Sequence, residues 1–151
     1  MSPDKPQSPN ASPPTVLVVD DNKDMVEILT RLLTRQGLHA LHAYSGQECL
    51  DIVRTHAVDV IVLDVMMPGM DGLEVCKALK AMTTPPPVIL LTAKDDMATR
   101  AAGMALGVSE FVVKPINNRD LLARIQTQLS TRQWEREIDR TSATMGPNGK
   151  A

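Results

Sequence analysis

Four short apolar runs of this chain each stop at a side chain that can do chemistry. Val16 to Val19 lead into the acid pair Asp20 and Asp21, Val60 to Leu63 into Asp64, Val88 to Leu91 into the hydroxyl of Thr92, and Phe111 to Val113 into Lys114. In an open parallel sheet, ligands bind outside the carboxyl ends of the strands, where the strand order reverses. If the four runs are such strands, three acids, a hydroxyl and an ammonium converge on one spot. That set suits a divalent cation beside a phosphoryl group carried on a carboxylate, because acids hold the metal while lysine and hydroxyl offset the phosphoryl oxygens.

The elements that must position these groups are legible as alternating patterns. Short β-branched runs predict strands near 15–20, 39–43, 58–63, 88–92 and 110–114, and segments of helical period predict helices near 24–36, 46–55, 72–82, 97–106 and 118–133. A βα unit repeated five times results. The run Val58 to Leu63 is apolar apart from Asp59, as expected of a strand covered by helices on both faces, so the fold class is α/β with a doubly wound parallel sheet. Met25, Ile28, Leu29 and Leu32 fall at i, i+3, i+4, i+7 and predict the buried stripe of the first helix, with Gly37 as its stop signal. Asn117 and Asp120 form a capping pair for the last helix, whose Leu121, Leu122, Ile125 and Leu129 should face inward.

The strings Val18 to Asn22, Leu63 to Gly72, Leu90 to Lys94 and Val112 to Pro115 make the chain resemble the receiver domain of two-component response regulators, in that family's order and spacing from about Thr15 to Leu129. The resemblance implies a flavodoxin-like sheet of order 2-1-3-4-5 with five helices. It makes Asp64 the phosphoacceptor, a carboxylate nucleophile toward phosphorus that forms an aspartyl-phosphate. It assigns magnesium to Asp20, Asp21, Asp64 and the backbone carbonyl of Met66. It has Thr92 and Lys114 contact the phosphoryl group, through a Lys114-Pro115 bond that is usually cis in the family. Phe111 stands at the family's switch-aromatic position, where Thr92 moves toward the phosphoryl group and the ring swings inward, altering the face of the fourth helix, fifth strand and fifth helix. Met66 and Lys94 stand at two positions that tune hydrolysis.

Composition limits the alternatives. Hydrophobic residues are 43% and charged residues 23% of 151, which excludes a disordered chain and fits one domain with tails. With only Tyr44, Phe111 and Trp134 as aromatics the core must be aliphatic and rich in methionine. A net charge of -2 gives no polybasic footprint for nucleic acid, no apolar run is long enough to span a bilayer, and no secretion signal opens the chain. The expected compartment is therefore the cytoplasm. Cys49 and Cys76 lack metal-type spacing and read as two buried free thiols, and His39, His42 and His56 as ordinary residues.

Residues 1–14, with five prolines, are expected to be a flexible leader, 15–130 the receiver domain, and 131–151 a helical extension followed by a disordered tail. In the extension Trp134 and Ile138 continue an i, i+4 spacing amid charges, so it either projects as helix or frays in solvent. The expected function is a single-domain response regulator that takes a phosphoryl group from a histidine kinase or histidine phosphotransfer protein and signals to a protein partner. Its chemistry would be self-directed, phosphotransfer in and hydrolysis out. One alternative is the receiver portion of a longer regulator with a DNA-binding or enzymatic output. Arg119 and Arg124 resemble residues of DNA-binding regulators, whereas Ala105 stands where that subfamily carries an acid, which argues against dimerisation through that face. A second is a phosphohydrolase with an aspartyl-phosphate intermediate, disfavoured because such enzymes commonly carry an acid where this chain has Met66. A third, a phosphate-independent interaction module, is disfavoured by the intact site.

Overall fold

The computed structural model describes residues 12–93 and 96–145, with side chains as far as residue 132. The chain runs β1 Thr15–Val19, α1 Lys23–Arg35, β2 His39–Ala43, α2 Gly46–Thr55, β3 Val60–Asp64, α3 Gly72–Lys80, β4 Val88–Thr92, α4 Met97–Ala105, β5 Glu110–Val113 and α5 Asn118–Met145. All strands pair in parallel, in the order β2-β1-β3-β4-β5. The leader expected over 1–14 lies outside the described residues apart from its last three, as do Lys94 and the tail from 146 onward.

Strand residues alternate between two cores because successive side chains point to opposite faces. Leu17, Val19, Ile61, Leu63, Val88 and Leu90 join Cys49, Leu50 and Val53 of α2 and Val75, Cys76 and Leu79 of α3. On the other face Val16, Val18, Val60, Val62, Ile89 and Leu91 meet Val26, Leu29 and Leu33 of α1 and Leu121 and Ile125 of α5. Fully burying a side chain of this size stabilises by about 1.5–3 kcal/mol. Double coverage of the sheet explains why its strands are apolar without alternation.

The stripe expected for α1 needs correction. Its buried residues are Val26, Leu29 and Leu33, with Met25 and Leu32 half-buried, while Ile28 is 55% exposed. At about 100° per residue, Ile28 lies roughly 130° round the helix from the centre of the buried set. Six apolar residues in α1 allow two stripes offset by one position, and only docking on β1 and β3 chooses between them. The helix stops as expected: Gly37 takes φ +82°, its N–H reaches the Thr34 carbonyl at 3.0 Å, and the Leu38 N–H reaches Leu33 at 3.1 Å. Asn117 Oδ1 accepts the Asp120 N–H at 3.0 Å and so caps α5.

Candidate functional site

The order reverses at β1, which has β2 on one side and β3 on the other, so the switch-point crevice lies beyond the carboxyl ends of β1 and β3. Val19 pairs with Leu63, which makes Asp20 and Asp64 the next residues of two adjacent strands. Each is almost fully enclosed, with 3% of Asp20 and 2% of Asp64 exposed, whereas Asp21 is open to solvent. Carboxylate oxygens from Asp20, Asp21 and Asp64 all lie within 4.8 Å of one another. Octahedral magnesium at 2.0–2.1 Å needs oxygens roughly 2.9 Å apart when cis and 4.2 Å when trans, so this donor set fits the ion with small adjustments.

Lys114 follows β5, and its Nζ lies 2.7 Å from Asp64 Oδ1 as an ion pair whose angles fall outside hydrogen-bond geometry. The Lys114-Pro115 bond is cis, as the resemblance implied. Thr92 closes β4 opposite Val113, and its carbonyl accepts the Lys114 N–H at 2.8 Å, which puts the hydroxyl and the ammonium on neighbouring strand ends. Thr92 is 1% exposed and its Oγ1 has no hydrogen-bond partner among the described residues. An unpaired buried hydroxyl costs about 1–3 kcal/mol, so its retention here points to a ligand oxygen that it serves.

Three carboxylates against one ammonium strain the electrostatics. Burial pushes the Asp20 carboxyl up to about 6, with the Asp64 and Asp21 charges adding to the rise, while the Asn22 N–H at 3.0 Å from Asp20 Oδ1 and the Lys114 ammonium oppose it. Cys49 and Cys76 are buried free thiols, each pushed up to about 12 by burial, and take no part in the site.

Two further features position Asp64. A Cβ on Gly72 would meet the Asp64 carbonyl oxygen and Val65 Cα at 2.8 Å each, so only glycine lets α3 start against the backbone at the end of β3. That start is fixed by a capping box, in which Asp71 Oδ1 accepts the Glu74 N–H and Glu74 Oε1 accepts the Asp71 N–H, both at 2.9 Å. The role of Gly72 was not drawn from the sequence, although glycine directly after an Asp cap was the available signal. Met66, two residues past Asp64, has its side chain 70% exposed at the rim. Phe111 is partly buried against the core that contains Leu90.

Residues 16–126 match the family described as the response regulator receiver domain. Among solved structures, the receiver domain of the Francisella response regulator 1452 is 31% identical with a TM-score of 0.73, covering 78% of this chain and 98% of that one. The chemotaxis protein CheY4 of Vibrio cholerae is also 31% identical at TM-score 0.73, over 78% of this chain and 99% of that chain. The signal receiver domain of a signal transduction histidine kinase from Syntrophus aciditrophicus is 30% identical at TM-score 0.73, over 78% and 91% of the two chains.

Proposed function

Because this chain belongs to the response regulator receiver family, we propose that it is a phosphorylation-controlled switch. It accepts a phosphoryl group on Asp64 from a histidine kinase or histidine phosphotransfer protein and signals through the face of α4, β5 and α5. The observation that carries this reading is the enclosed, partnerless Thr92 hydroxyl beside the Lys114 and Asp64 pair. A phosphoryl group on Asp64 supplies the acceptor that Thr92 lacks.

An Asp64 oxygen attacks phosphorus as the bond from phosphorus to the donor imidazole nitrogen breaks, and that nitrogen leaves with the electron pair. Lys114 offsets charge on a phosphoryl oxygen, and Thr92 donates a hydrogen bond to another. Asp20, Asp21, Asp64 and the Met66 carbonyl would hold magnesium, which neutralises charge on the transferred group. Met66 has no side-chain proton donor or acceptor suited to general catalysis two residues past Asp64, which supports self-directed chemistry over turnover of an external phosphomonoester. No helix among the described residues is long and apolar enough to cross a membrane. The free thiols of Cys49 and Cys76 support a reducing compartment, the cytoplasm. The net charge of -2 supports a protein rather than a nucleic acid as the downstream partner.

One observation favours a second reading, the receiver portion of a longer regulator. The backbone of α5 continues as helix to Met145, beyond Leu129, which packs on the sheet core, and Arg132, which pairs with Asp59. Arg124 of this helix is already engaged within the chain, at 2.6 Å from Glu110 and 3.2 Å from Asp120, which disfavours pairing with a second copy there. The reading frame beyond Ala151 decides between the two.

Incubation with magnesium and a radiolabelled small phosphodonor should give acid-stable, base-labile label on the parent and none on Asp64→Ala. Label at full stoichiometry on Asp64→Ala would place the acceptor elsewhere.

A further inference from the structure

On the reading that Phe111 moves when Asp64 is phosphorylated, we propose that Gly103 and Arg100 of α4 form the seat that holds its ring in the unphosphorylated protein. They thereby set how readily the domain switches. The register pairs Leu90 with Phe111 and Thr92 with Val113, so Phe111, Leu90 and Thr92 project to the same sheet face. A Cβ on Gly103 would lie 2.9 Å from Phe111 Cε1, 3.1 Å from Cζ and 3.3 Å from Leu90 Cδ2. Carbon atoms settle at about 3.5–4.0 Å, so the ring edge occupies the space that any other residue at 103 would need. Arg100, one turn earlier, carries its guanidinium carbon 5.8 Å from the ring centroid, within reach of a cation–π contact.

Gly103 is the one glycine in a helix that also contains Ala98, Ala101, Ala102 and Ala105. Glycine in a helix interior costs about 1 kcal/mol relative to alanine, so local helix formation gives no reason for it. Contact with the ring does. The seat lies at the level of the Leu90 and Phe111 pair, two residues short of Thr92, so a ring that moved toward Thr92 would leave it. Filling it with a methyl group removes the resting position without touching the phosphoryl site. Linkage then requires the affinity for a phosphoryl mimic to rise as the resting state is weakened.

The chain contains a single phenylalanine, so selective ring labelling reports Phe111 alone by NMR. With magnesium and no mimic, Gly103→Ala should move the ring signals toward those of the parent saturated with beryllium fluoride, and should tighten beryllium fluoride binding about threefold. Arg100→Gln, which adds no bulk, should act in the same direction more weakly. In a Phe111→Ala background, Gly103→Ala should leave the affinity unchanged. Ring signals that stay in place in both α4 variants, or an affinity gain that persists without the ring, would overturn the seat. Failure of the parent to bind beryllium fluoride through Asp64 would instead count against the phosphorylation reading, while the ring signals of the magnesium form would still decide whether Gly103 and Arg100 hold the ring.

Discussion

At the amino end of the sheet, Asp59 accepts the Thr15 N–H at 2.8 Å and has Arg132 Nε of α5 at 3.8 Å, while Arg132 Nη1 reaches the Pro85 carbonyl at 3.5 Å. At the carboxyl end, Asp20, Asp21 and Asp64 crowd around one ammonium, and the Thr92 hydroxyl is enclosed without a partner. At the first end Asp59 and Arg132 together tie β1, the start of β3, the approach to β4 and α5. Three acids at the second repel one another. The same side-chain type serves stability where the chain supplies its counterpart, and serves binding where the counterpart must come from outside.

The largest effects should come from exchanging these roles. Asp20→Asn removes a buried like charge, so the metal-free melting temperature should rise and most of the gain on adding magnesium should vanish. Asp59→Ala removes an acceptor whose hydrogen bond to charge is worth roughly 1.5–3 kcal/mol, so the protein should lose stability by that order while keeping its magnesium response. Calorimetric scans of the two variants with and without magnesium check the contrast. Equal magnesium responses in parent, Asp20→Asn and Asp59→Ala would erase the distinction between the two ends.

A smaller effect should appear with pH. The folded Asp20 carboxyl, pushed up to about 6 from 3.8, binds its proton more tightly than in the unfolded chain. The stability tied to that proton is fully present below pH 4 and is lost as pH rises through 6. Magnesium requires the ionised acid, so the difference in melting temperature between magnesium-bound and metal-free protein should widen from pH 5 to pH 7. The widening should be absent in Asp20→Asn, and the same slope in both proteins would assign the titration to another group.

The smallest expected effect is kinetic. Met66 sits exposed at the rim of the carboxyl end and cannot hydrogen-bond an attacking water. Met66→Asn should therefore speed loss of the phosphoryl group about threefold, roughly 0.7 kcal/mol of barrier. Quenched time courses at equal magnesium give the rate, and an unchanged rate would mean that the rim side chain does not orient water.

Element order and type were readable because the strands are continuous apolar runs and the helices have caps, as at Asn117 and Gly37. The strand ends were equally readable, since Asp20, Asp64, Thr92 and Lys114 each interrupt such a run. Less visible was the rotation of α1, where Val26 replaces Ile28 in the core, because periodicity does not say which of two adjacent stripes meets the sheet. The close approaches at Gly72 and Gly103 were invisible for a related reason. A glycine reports only that something is near, and the atoms it meets, the Asp64 backbone and the Phe111 ring, are distant in sequence.

Covalent order and hydrophobic pattern by themselves determined the five βα units, the parallel sheet and the set of residues at its carboxyl end, because continuous apolar runs and helical periodicity are local properties. Only the tertiary structure decided that three carboxylates come within 4.8 Å, that Lys114 stands 2.7 Å from Asp64, and that Thr92 is enclosed without a partner. Those are sums over strands brought side by side from across the chain. Burial and charge at one atom depend on every neighbour in space, which no sequence window contains.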